Sequence, residues 1–215
     1  MQSSVQTQLT TTERLRLSEK VYDESEEKGV HEIFQDDIAN IQSSLEKLDV
    51  QAFHQAVELL LASRKVYIVS NRSAKALSVF LNHYLSIFLE DVTLVSSMEE
   101  APELFKKVHE NDVAIGISFS RYTSNTINTM KLAKEQGLAT IAITDNLLSP
   151  LIPYSDVSLT ASSQMPNLID SFVAPLSLIN ALITYIGRAK QDDFYEYLES
   201  LEDIWSEYGI FYTKE

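Results

Sequence analysis

From residue 66 onward the apolar positions gather into short β-branched runs, separated by stretches with helical spacing. Runs at 66–69, 92–95, 113–119, 140–144 and 157–159 read as strands. The first, third and fourth are continuous rather than alternating, as a parallel sheet covered on both faces requires. Amphipathic patterns at 74–89, near 102–108 and at 124–135 fill the gaps. Gly137 stands where a left-handed residue ends a helix.

This alternation predicts an α/β domain: a doubly wound, five-stranded parallel sheet with right-handed crossovers and the flavodoxin-like order 2-1-3-4-5. Ahead of it, residues 1–12 are polar and rich in Ser, Thr and Gln, the composition of a frayed tail. Residues 13–28 are densely charged, with Leu15, Leu17 and Val21 as their sparse apolar positions. They read as a linker or an unsupported helix, ended by Gly29. A second helix carries Ile33, Phe34, Ile38, Ile41, Leu45 and Leu48, and Asp49 caps a third with Phe53, Ala56, Val57, Leu60 and Leu61.

After the fifth strand, helices are expected at 168–187 and 192–211. The last sets Phe194, Tyr197, Leu198, Leu201, Ile204, Trp205 and Tyr208 on one stripe, a seam for its own domain or for a second copy. A homodimer is expected, through this stripe or through Phe34, Ile38 and Ile41. The chain thus divides into a polar tail or linker (1–30), the α/β domain (31–190) and an acidic amphipathic helix (191–215).

The third apolar run stops in a cluster of hydroxyls, Ser118, Ser120, Thr123 and Ser124, and a helical pattern follows at once. Such a loop offers unpaired backbone N–H groups, short donors and the positive end of a helix dipole, all suited to a phosphate. One hydroxyl serves as an N-cap; four within seven residues exceed that need. In the order 2-1-3-4-5 the topological switch lies between strands one and three, where ligands bind at the carboxyl ends. Ser70-Asn71-Arg72-Ser73 and the loop from Ser118 to Thr123 end those strands and are expected to face each other.

Bulk properties narrow the partners. The 215 residues suffice for one domain with a sizeable core, and 45% hydrophobic with 22% charged residues is ordinary for a globular protein. A formal net charge of -14 opposes direct nucleic-acid contact by this segment, while a small anion needs only a local cradle. The absence of cysteine removes disulfides, thiolate metal sites and a cysteine nucleophile. No apolar run reaches the roughly 18 residues of a membrane span, and Met1-Gln2-Ser3-Ser4 opens no signal peptide. No membrane contact and a cytoplasmic location are expected.

Three segments carry a family resemblance: Val66-Tyr67-Ile68-Val69-Ser70-Asn71-Arg72-Ser73, Gly116-Ile117-Ser118-Phe119-Ser120-Arg121-Tyr122-Thr123, and Ala142-Ile143-Thr144-Asp145-Asn146-Leu147-Leu148-Ser149-Pro150-Leu151. They resemble the SIS (sugar isomerase) domain, and more narrowly the effector domain of RpiR-family bacterial transcriptional regulators, over about residues 34–188. The resemblance implies that Ser118, Ser120 and Thr123 bind the phosphate of a phosphosugar, with Asn71, Arg72 and Ser73 as further contacts. The first loop departs from the family's G-x-G-x-S: Ser70 and Arg72 replace both glycines and Ala74 replaces the serine. Loss of glycine at position 70 bears on how closely backbone approaches ligand. RpiR-type regulators also carry a helix-turn-helix module, longer than the roughly 30 residues before the first core helix here. Residues 9–28 resemble the linker that follows such a module. An excised effector domain and a chain without the DNA-binding half both fit.

SIS isomerases move a proton between adjacent sugar carbons, which needs a general base at the cleft. His31 and His54 fall on N-terminal helices, His109 beside Glu110 after a short helix, and His83 in mid-helix away from the loops. Asp170 is expected near the N-terminus of the helix after strand five, where an acid ordinarily caps or answers the dipole. No Ser-His-Asp order, metal-ligand spacing or dinucleotide fingerprint occurs. The reading is a phosphosugar-binding effector domain with no cofactor, metal or catalytic residue. The alternative is a phosphosugar isomerase or epimerase using Asp170; a third is an interaction protein whose site has decayed.

Overall fold

In this computed structural model, residues 10–18, 26–165 and 169–212 are described. Their helices are α1 (Thr11–Ser18), α2 (Glu26–Glu46), α3 (Val50–Leu61), α4 (Lys75–Phe88), α5 (Ala101–Leu104), α6 (Ser124–Glu135), α7 (Val173–Ala189) and α8 (Gln191–Glu207). The strands are β1 (Lys65–Ser70), β2 (Val92–Val95), β3 (Asp112–Ile117), β4 (Ala139–Thr144) and β5 (Val157–Thr160). All pair in parallel, in the order β2-β1-β3-β4-β5 expected from the pattern.

Because strand side chains alternate, the sheet feeds two cores. Ile68, Ile115, Ile117, Ile141 and Ile143 pack with Leu60 of α3, Leu81 and Leu85 of α4, and Ile179 and Leu182 of α7. On the other face Ala114 and Ala142 are small and admit Met130 and Ala133 of α6 closely. Gly116 completes this recess: a Cβ there would sit 2.6 Å from Met130 Cγ. That small-residue face brings α6, and the loop before it, down onto β3.

Two helix ends follow the sequence. Asp49 accepts the Ala52 N–H at 2.9 Å as the cap of α3, and Gly137 adopts φ +88° just beyond α6. Four expectations need correction. Gly29 lies inside α2 rather than ending a helix; so near the N-terminus, its conformational cost is outweighed by the contacts α2 makes further on. The strand expected to reach residue 119 stops at Ile117, and Ser118 and Phe119 stay buried beyond the ladder. The helix expected from residue 74 begins at Lys75, after a single 3₁₀ turn at Arg72–Ala74.

The helix expected from 168 starts only at Val173. Pro175 is the reason: its ring and missing N–H are tolerated in a first turn and not in a helix interior. Asp170 therefore lies in the preceding loop. Residues 1–9 and 19–25, with most of the expected tail and linker, lie outside the described residues.

The apolar stripe of α2 faces outward. Phe34 is 65% and Leu45 71% exposed, and Ile38 and Ile41 are exposed beside them. Its inner edge is polar. Asn40 donates to Gln164 O at 2.6 Å and accepts from Ser162 Oγ at 2.6 Å and from the Gln164 N–H at 3.1 Å. Ser44 Oγ accepts the Ser162 N–H at 2.8 Å, and Ser171 Oγ donates to Asp37 Oδ1 at 2.5 Å. The irregular segment after β5 has backbone groups to satisfy, and α2 turns its polar edge to them. On α8, Tyr197 and Ile204 are exposed, as is Tyr208 at its C-cap, while Leu198, Leu201 and Trp205 are half-buried. The Phe194 side chain lies outside the described part. Among the described residues, no helix is long and apolar enough to cross a membrane.

Candidate functional site

Ser70 pairs with Ile117 at the carboxyl ends of β1 and β3, so the two polar loops leave the sheet side by side. In the first, Ser70 Oγ turns away and donates to buried Ser78 Oγ at 2.6 Å. Ser70 keeps to the strand, and the left-handed backbone falls at Arg72 instead, with φ 57°. Arg72, at the second glycine position of the motif, holds this left-handed conformation at a cost of roughly 1–2 kcal/mol. Arg121 in the second loop does the same, at φ 62°. Non-glycine residues in this region concentrate at ligand sites, where the surrounding structure enforces them.

The loops are tied together by a residue not singled out in the sequence. Thr126, fully buried on α6, accepts from Asn71 Nδ2 at 3.1 Å and shares a 2.8 Å hydrogen bond with Thr123 Oγ1. Thr123 thus occupies the N-cap position, but its hydroxyl makes no cap hydrogen bond. The expectation that a hydroxyl is spent on capping is corrected. The first-turn N–H groups of α6 have no intrahelical acceptor and open onto the loop.

Between the loops lies a cavity of about 710 Å³. All six residues expected from the sequence line it: Asn71, Arg72, Ser73, Ser118, Ser120 and Thr123. Among the described residues, the hydroxyls of Ser73, Ser118 and Ser120 engage no partner. Phe119 and Phe172 close part of the wall, with ring centres 5.5 Å apart. Backbone donors, free hydroxyls and a guanidinium converge here, the chemistry that receives a phosphate.

A second cavity of about 430 Å³ adjoins the first and shares Arg14, Ser120 and Asp170 with it. Arg14 belongs to α1 and is only 7% exposed; its Nη2 donates to Asp170 Oδ1 at 2.5 Å. Asp170, expected at a helix terminus, is instead an ion-pair partner in the cleft wall. Asp145, just past β4, lines the second cavity and accepts from Tyr122 OH at 2.6 Å and from Thr144 Oγ1 at 3.2 Å. Burial pushes the Asp145 carboxyl above the ordinary carboxylate range; hydrogen bonds from Tyr122 and Thr144 oppose this and Asp170 adds to it. Burial and the bond to Asp145 push the Tyr122 phenol far up.

Asp145 had a sequence signal, since it follows an apolar run ending beside the switch point. Arg14 had none: 156 residues separate it from its partner.

The SIS domain family model matches residues 59–185, more than half of the chain, and the chain belongs to that family. The RpiR transcription factor of Sphaerobacter thermophilus (sugar isomerase domain) has the same fold, with a TM-score of 0.76 and 25% identity over 80% of this chain and 97% of that one. The Vibrio vulnificus NanR protein, solved with ManNAc-6P, aligns at a TM-score of 0.69 and 16% identity over 79% of this chain and 67% of its own. An uncharacterized HTH-type regulator of Caldanaerobacter subterraneus is 33% identical over 101 residues, 45% of this chain and 36% of its own. HexR of Pseudomonas aeruginosa is 22% identical over 84% of this chain and 65% of its own. The chain therefore spans less than two thirds of the length of these two HTH-type relatives.

Proposed function

We propose that this chain is the effector-sensing domain of a bacterial transcriptional regulator and binds a phosphosugar between the loops after β1 and β3. One observation carries the reading. Thr126 fixes the two loops across a cavity where the hydroxyls of Ser73, Ser118 and Ser120 have no partner among the described residues. The phosphate seats against Ser118, Ser120, Thr123 and the first turn of α6, with Asn71, Arg72 and Ser73 on the opposite wall. The HTH-type relatives and the NanR complex support a regulator that reads such a ligand. Asp170, paired with Arg14, is read as a support of the cleft wall rather than as a general base. The cytoplasm is the compartment that suits this role.

The same reading divides the chain into 1–30, a SIS unit over 31–190 and an appended segment at 191–215, whose helix, expected to reach 211, ends at Glu207. It also includes a homodimer. The outward stripe of α2, Phe34, Ile38, Ile41 and Leu45, is an apolar face with a polar edge beneath it, and a two-fold copy would cover it. Two sensing domains so paired suit binding to two operator half-sites.

Thermal-shift screening against a phosphosugar panel tests the function. A ligand at one hundred times its dissociation constant adds about 2.7 kcal/mol to stability. Stabilisation by unphosphorylated sugars but by no phosphosugar would reject the phosphate site.

A further inference from the structure

The cavity beside the phosphate loops has no role yet, and its lining is of mixed charge. Asp145 and Asp170 are acceptors; Arg14 and Lys47 are cations. Arg14 and Asp170 stand at the junction of the two cavities, and Ser120 borders both. A phosphate held at Ser120 therefore has its remaining substituent directed into either space, and this one continues past a buried guanidinium. Among the described residues that guanidinium spends one N–H on Asp170 and has others to offer.

Resting on the phosphosugar reading above, we propose that this second cavity seats the non-phosphate end of the ligand, and that Asp145 restricts that end to uncharged hydroxyl-bearing groups. Carboxylates accept hydrogen bonds from sugar hydroxyls and repel a second anion. Asp145 Oδ1 already accepts from Tyr122 and Thr144, which orients the carboxylate and leaves its other oxygen for a ligand hydroxyl. Arg14 and Asp170 neutralise each other, so among the described residues Asp145 is the carboxylate of this lining without an ion-pair partner; the remaining cation, Lys47, stands on the α2 side and donates to Ser43 at 2.9 Å. Burial raises the pKa of Asp145, and the same desolvation disfavours a second anion beside it. The selected ligands are monophosphates of neutral sugars; sugar-acid phosphates and bisphosphates are rejected.

Calorimetric titration of the full chain tests this with inorganic phosphate, neutral hexose and N-acetylhexosamine 6-phosphates, 6-phosphogluconate and fructose 1,6-bisphosphate. At least one neutral sugar monophosphate is expected to bind about tenfold or more tighter than inorganic phosphate and than either doubly acidic ligand. Asp145→Asn is expected to reduce that preference while leaving the protein folded and its inorganic phosphate affinity in place. Binding of phosphosugars without preference over phosphate, or tighter binding of the acidic ligands, overturns the second cavity's role and leaves the phosphate site standing. No binding of phosphate or any phosphosugar overturns both.

Discussion

Asn71 and Thr126 lie 55 residues apart, and the 3.1 Å hydrogen bond between their side chains joins the first cleft loop to the helix that follows the second. Thr126 is fully buried, so its hydroxyl has no water to fall back on. Thr126→Val keeps the shape and removes both hydrogen bonds. It is expected to lower stability by about 1–2 kcal/mol and to weaken phosphosugar binding, because the loops lose their common anchor. Calorimetric titration and chemical denaturation of one preparation measure both; unchanged affinity would mean that Thr126 is structural only.

Ser120→Ala and Thr123→Ala are each expected to weaken phosphosugar binding by roughly 1.5–3 kcal/mol, the range for hydrogen bonds to a charged group. Ser124 is exposed on the first turn of α6 and absent from the cavity wall, so Ser124→Ala costs less. Equal losses at all three positions would move the phosphate elsewhere.

Gly116→Ala drives a methyl group into Met130 Cγ at 2.6 Å, and the expected cost is about 1–3 kcal/mol. Relief requires Met130 to repack or α6 to lift from β3, and the second route displaces the loop before α6 as well. A second change at Met130 to a smaller residue should recover part of the loss, and a double-mutant cycle on denaturation midpoints reads the coupling.

Asp145 and Asp156 move stability in opposite directions as pH falls. Burial dominates at Asp145 and raises its folded pKa, so the fold regains stability as pH drops through that value. Asp145→Asn is therefore expected to raise Tm at neutral pH. At Asp156 burial also pushes upward, but hydrogen bonds from Thr140 and Lys134 outweigh it and hold the carboxyl below its ordinary range. Its stabilisation is present above the unfolded value and is lost as pH falls through the folded one. Asp156→Asn should lower Tm at neutral pH and flatten the acid limb; melts from neutral pH into the acid range separate the two.

Phe34→Asp or Leu45→Asp places a charge on the outward stripe of α2 without touching its polar inner edge. Either is expected to convert a dimer into a folded monomer, read by light scattering over a concentration series. A dimer that survives both, and dissociates with Leu201→Ala and Trp205→Ala, would shift the interface to α8.

The sheet, its order and the two facing loops were legible in the sequence because each depends on local information. Continuous apolar runs define buried parallel strands, alternation with helices dictates crossovers, and the switch point follows from strand order. That Ser118, Ser120 and Thr123 share the wall of one cavity was legible because a strand feeding hydroxyls at a helix start is a contiguous signal. Helix α7 was misplaced by five residues although its determinant, Pro175, is local. What only the tertiary structure decided involves partners remote along the chain. Hydrophobic spacing marked the apolar stripe of α2 but not which side it presents; hydrogen-bonding demands from 161–171 turned Asn40 inward and Phe34 out. Arg14 and Asp170 meet across the cleft, and Thr126 joins two loops, because folding makes neighbours of groups whose sequence separation carries no periodic trace.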